Sequence, residues 1–171
     1  MEFRGNMTVI SKEETSLWLL KHNINEENIL SNYDLKLSKQ LPVDFGAKNY
    51  LAKEIASVYN GNEVLLYICE FGIWPSCENL YLFDGYRKSI GIKDNIHKKP
   101  SHLICKDENI EFYCILDMIL YFYMGCIIVP LENQDEIMKI SHDEYLEIYT
   151  KKEKNKNEIT NRIKEIMNKK E

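Results

Sequence analysis

The stretch from Ile110 to Pro130 is almost wholly apolar or aromatic, and it limits the fold more than any other feature of this sequence. Its length alone would admit a membrane span. Glu111 and Asp117 lie inside it, however, and a carboxylate at the centre of a spanning helix costs ~3 kcal/mol. Gly125 divides the run into a helical part and a β-branched part, Cys126-Ile-Ile-Val-Pro130. The run therefore predicts a buried helix over Asn109–Met124, a buried strand over Cys126–Val129, and no membrane partner.

The rest of the chain follows the same alternation. Ser11-Lys-Glu-Glu14 is a capping box and predicts a helix to about His22. Tyr33 to Lys39 alternates polar and apolar residues, as a strand with one wet face does. Asp44 reads as the N-cap of a helix through Asn60, with Gly61 as its stop. Glu63 to Cys69 is a short apolar run expected to be a buried strand. A loop and a helix over Asn79–Ile90 come next, then a short strand over His102–Cys105. Ile137–Ile140 reads as an edge strand, and Ser141-His-Asp-Glu144 as another helix N-terminus.

Helices alternating with short apolar strands argue for βαβ units. The expected fold class is α/β: one domain over residues 1–149, with a mixed, partly parallel sheet of about four to five short strands flanked by helices. Residues 150–171 form a Lys-rich tail in which Ile159, Ile163 and Ile166 fall at helical spacing.

Charge is divided along the chain. Eight of the 22 Lys and Arg residues and four of the 27 Asp and Glu residues lie from Thr150 onward, so the tail carries +4 and the remainder −9. An acidic body disfavours nucleic acid and suits a basic protein partner, although it also serves solubility. The start of the chain does not read as a signal peptide. Five cysteines, an odd number, then point to free thiols in a reducing, cytoplasmic setting.

Motifs that would fix a chemistry do not occur. The seven glycines are scattered and form no phosphate loop, and no cysteine pair has the Cys-x-x-Cys spacing of a zinc site. No cofactor, metal ligand or catalytic residue is therefore assigned. The densest constellation is the loop from Glu70 to Asn79 and the helix behind it. Glu70, Trp74, Glu78, Asn79 and Arg87 crowd the carboxyl end of a buried strand, with His102 at a nearby strand start. In a parallel α/β sheet ligands sit at that edge. A Trp-Pro pair supplies a rigid aromatic anchor, and two carboxylates could receive basic groups or share acid/base work. The same residues also have an ordinary structural use. Trp74 can roof the core, Asn79 can cap the helix, Arg87 can fold back onto Glu70 or Glu78, and His102 can sit satisfied at the sheet.

Glu70-Phe-Gly-Ile-Trp-Pro-Ser-Cys-Glu-Asn-Leu-Tyr-Leu-Phe83, with Arg87, Gly91 and Pro100-Ser-His102 after it, resembles a pattern in uncharacterised bacterial proteins of similar size. The resemblance covers Leu41 to about Tyr149. It implies a bacterial origin and carries no activity with it. In size, charge and lack of motifs the chain also resembles small acidic immunity proteins.

Two functions are thus expected. The first is a non-catalytic acidic binding or accessory protein, immunity-like, that engages a basic protein partner. The alternative is a small hydrolase or transferase using carboxylates of the Glu70–Asn79 loop.

Overall fold

A computed structural model describes residues 7–24, 32–71, 77–132, 134–152 and 158–168, with the side chains of 77–79 outside the description. Among the described residues seven strands and five helices follow one another. They are β1 (Thr8–Ile10), α1 (Lys12–Lys21), β2 (Tyr33–Gln40), α2 (Phe45–Val58), β3 (Val64–Glu70) and α3 (Cys77–Ser89). Then come β4 (Ser101–Ile104), α4 (Asn109–Tyr121), β5 (Gly125–Pro130), β6 (Glu136–Ile140), β7 (Tyr145–Lys151) and α5 (Glu158–Asn168).

The local signals act where they stand. Ser11 Oγ accepts from the Glu14 N–H at 3.1 Å, and the Glu14 carboxylate accepts from the Ser11 N–H at 2.7 Å, which starts α1. Asp44 Oδ1 accepts from the Ala47 N–H at 2.9 Å and starts α2. Gly61 and Gly91 take positive φ angles of 77° and 94° just beyond α2 and α3, where a side chain would be strained.

The sheet corrects the expected fold class. It is a single seven-stranded sheet in the order β1-β4-β3-β5-β6-β7-β2, and every neighbouring pair is antiparallel. A mixed, partly parallel sheet of four to five strands does not form. The crossover argument fails for a specific reason. β4 and β5, joined by α4, do run in the same direction, but β3 lies between them and runs the opposite way. β2 and β3 across α2, and β1 and β2 across α1, also run the same way but stand further apart, with three and five strands between them. A helix can return the chain to a parallel course without placing the two strands side by side.

Two further expectations change. β6 is not an edge strand: it lies between β5 and β7 and is buried along most of its length. Ser141–Glu144 does not start a helix. The Ser141 hydroxyl accepts from the Asp143 N–H at 3.0 Å, Ser141 O accepts from the Glu144 N–H at 3.1 Å, and Glu144 has φ of 66°. This is a tight turn between β6 and β7. Hydroxyl and acidic side chains cap turns by the same local bonds with which they cap helices.

The sheet has two unlike faces. On one, Leu66, Ile68, Cys126, Ile128, Met138, Ile140 and Ile148 pack under α2, α4 and α5, with Phe83 of α3 among them. On the other, Leu65, Val129, Ile137 and Tyr33 pack against Leu19 of α1. The hydroxyl of Thr15 in α1 donates to Ser101 Oγ at 2.7 Å and fixes that helix over β4. Among the described residues α1 is the only helix on this second face, and none of the helices is long and apolar enough to cross a membrane.

Candidate functional site

The end of β3 breaks its register. Ile68 stands opposite Cys126, but Glu70 stands opposite Gly125, so one extra residue bulges out at Cys69. The bulge turns Glu70 towards Gly125. A Cβ built there would come within 2.7 Å of Glu70 Cδ and 2.8 Å of Glu70 Cβ. Gly125 alternates with Cys126, which belongs to the helix-covered core, so it faces the α1 side of the sheet with Ile127.

From this position the Glu70 carboxylate reaches the β6–β7 turn. Its Oε2 accepts from the His142 backbone N–H at 3.1 Å and from His142 Nδ1 at 2.6 Å. His142 Nε2 stands 3.5 Å from Asp143 Oδ1. The two side chains are about one-third exposed, 32% and 36%, so solvent reaches the pair. Burial alone would raise the Glu70 carboxyl, but the two His142 bonds and the imidazolium charge outweigh it and hold the group below its ordinary range. The imidazole in turn is raised by its hydrogen bond to Glu70 and by that carboxylate's charge. The neighbouring Cys69 thiol is pushed up to about 11 by burial and by Glu70, which keeps it protonated and a poor nucleophile.

Among the described residues, the α1 face beside this pair is only partly covered. Register places Tyr67, Ile127, Lys139, Glu147 and Ser38 in one row across five strands. Tyr67, Lys139 and Glu147 are half-buried and Ser38 is exposed. Tyr149 adds its hydroxyl, which donates to Glu147 Oε2 at 2.8 Å. The result is a part-exposed strip carrying two tyrosines, one ammonium and one carboxylate, with Glu70 and His142 beside it.

The sequence-derived site residues do not converge here. Glu70 belongs to the strip. Arg87 is fully buried under α3, where NH1 donates to Asp84 Oδ1 at 3.1 Å and NH2 to the Lys99 carbonyl at 2.8 Å. Asp84 Oδ1 also accepts from the Ile96 N–H at 3.0 Å, so Arg87 secures the loop before β4 rather than Glu70 or Glu78. His102 lies opposite Leu66 on the helix-covered face, fully buried, with its ring edge-on to Phe83 at 6.4 Å. Burial and the Arg87 charge push its imidazole down to about 3, so it is neutral. Glu70 and His102 thus face opposite sides of the sheet. Trp74 and the side chains of Glu78 and Asn79 lie outside the described residues.

Sequence reasoning missed His142, Tyr67, Lys139 and Glu147. The available signal was the alternation in Tyr145–Lys151, where Leu146, Ile148 and Thr150 are buried. Read as a strand, it would have made 141–144 a hairpin turn. Among the described residues no group of three or more His, Cys, Asp or Glu side chains is placed to hold a metal ion. Comparison with protein-family models, with curated proteins and with solved structures finds no match to this chain.

Proposed function

We propose that this chain is a non-catalytic accessory protein that engages a basic protein partner through the open strip of its α1-side sheet face. The observation that carries this reading is the row Tyr67–Ile127–Lys139–Glu147 together with Tyr149, which is part-exposed and brings aromatic and charged side chains together. Rigid aromatics flanked by charged groups are typical anchors of protein interfaces. The −9 balance of residues 1–149 favours encounter with a basic surface. For the enzyme alternative, neither His102 nor Arg87 is available to work with Glu70, since both are buried away from it, and the Glu78 side chain lies outside the described residues. What supports it still is the Glu70–His142 carboxylate–imidazole pair alone.

Capture of binding proteins from cells, followed by titration of a purified partner, tests the proposal. A variant carrying Tyr67→Ala and Tyr149→Ala, verified as folded by circular dichroism, is expected to bind at least about tenfold more weakly than wild type. Equal affinity for the two proteins would remove the strip as the interface.

A further inference from the structure

α5 is held to the body by a narrow apolar stripe, with Ile159 and Met167 partly buried at its two ends, by a bond that Arg162 donates to Ser57 Oγ at 2.9 Å, and by one buried carboxylate. Only Thr160, Ile163 and Ile166 of this helix are buried. Glu136, at the start of β6, is 4% exposed. Its carboxylate turns to the first turn of α5. Oε2 accepts from the Ile159 N–H at 2.9 Å, and Oε1 from the Thr160 N–H at 3.1 Å and the Thr160 hydroxyl at 2.7 Å. These N–H groups have no acceptor within the helix, and the helix dipole favours an anion there. A carboxylate buried this deeply is costly unless it is bonded. The bonds the structure shows for it all come from α5.

Two openings lie along α5, the first at that contact and the second at the far end. A cavity of about 450 Å³ opens at the first turn of α5, between Ile159 and Arg162 on the helix and Val58, Asn62 and Pro130 on the body. A groove of about 240 Å³ opens at the other end, between Ile166 and Met167 and the side chains of Pro42, Tyr50 and Leu51. Between the two openings Ile163 is fully buried.

We propose that α5 is a strap that lifts as a unit while the sheet stays folded, with Glu136 as its catch. Opening bares the apolar seam between α2 and β2 that α5 covers. Elements with few buried contacts open below the global unfolding free energy, and charge-assisted bonds concentrated at one turn make the opening depend on a single side chain.

Amide hydrogen exchange on the full chain tests this. In wild type the amides from Ile163 to Met167 are expected to exchange at one common rate, at least about tenfold faster than those of β3 and β5. Glu136→Ala is expected to accelerate the α5 amides by a further ~10-fold or more and leave β3 and β5 unchanged, with Glu136→Gln in between. Equal rates for α5 and β5 in wild type would overturn the proposal, and that comparison stands even if the variants fail to fold. A rate gradient falling from the C-terminal end of α5 would replace the strap with simple fraying. Equal acceleration of α5 and β5 by Glu136→Ala would make Glu136 a support of the whole fold and also refute the catch.

Discussion

Gly125 and Glu70 occupy each other's space: the α1-side position where any other residue would carry a Cβ at Gly125 is already filled by Glu70, with Cδ 2.7 Å and Cβ 2.8 Å from it. Cβ is fixed to the β3 backbone and cannot swing aside. Gly125→Ala should therefore destabilise by about 1–3 kcal/mol, the usual range for overpacking. Urea unfolding measures it. Glu70→Ala in the same chain removes Cδ and the carboxylate but not Cβ, so it should recover only part of the loss.

The pair Glu70–His142 sets a pH window. His142 is raised from its ordinary 6.5 by Glu70, and Glu70 is lowered from its ordinary 4.5 by His142 despite partial burial. A raised imidazole stabilises fully below 6.5 and loses that stabilisation as pH rises through its folded value. A lowered carboxyl stabilises above 4.5 and loses it as pH falls through its folded value. The contribution is complete between about 4.5 and 6.5 and fades on either side. An NMR titration should show His142 titrating above 6.5 in wild type and returning towards 6.5 in Glu70→Gln.

His102 and Arg87 should act on stability and leave binding alone. Neither ring nitrogen of His102 has a hydrogen-bond partner in the structure, and it is completely buried. His102→Leu should then be neutral or stabilising by up to ~2 kcal/mol, because it removes polar atoms without a partner. Arg87→Met should cost about 1–3 kcal/mol, since it leaves Asp84 with only the Ile96 N–H and takes the Arg87 donor from the Lys99 carbonyl. Thermal unfolding of both variants checks the pair of signs, and unchanged partner affinity in the folded fraction checks the separation from the binding strip.

Lys48 is, with Arg87, a buried cation. Its ammonium lies 3.7 Å from the centre of the Tyr123 ring and has no hydrogen-bond acceptor. A desolvated cation–π contact is worth about 2 kcal/mol. Tyr123→Leu should lose at least that much, because the charge stays buried without its ring. Lys48→Met keeps the shape and removes the charge, so its unfolding midpoint in urea should stay near that of wild type.

Much of the helical half of the fold is legible from local chemistry. Ser11 with Glu14, Asp44, Gly61 and Gly91 mark helix ends by bonds and backbone angles that need nothing beyond their own neighbours. Pairing is different. Nothing local tells β4 and β5 that β3 will stand between them, because that choice is made by burial across the whole sheet. Residues 141–144 show a second limit: one side-chain chemistry serves two backbone outcomes, and only the alternation in β7 distinguishes them. Glu70 was visible as a candidate because it ends a buried strand. His142, its partner, is 72 residues away, and only the sheet brings the two together.

The position of β2 has a consequence for how the chain is made. This strand leaves the ribosome well before its partner β7, with Tyr33 opposite Lys151 and Gln40 opposite Tyr145. Until β7 has emerged, β2 lacks that neighbour, and its backbone groups remain open to any other strand. Its register shift at Leu35–Leu37 and its exposed Lys36 are the kind of features that discourage such unwanted pairing. A chain that stalls before Tyr145 would hold a waiting edge with nothing to close it, and such nascent fragments are the species that should aggregate or recruit a chaperone.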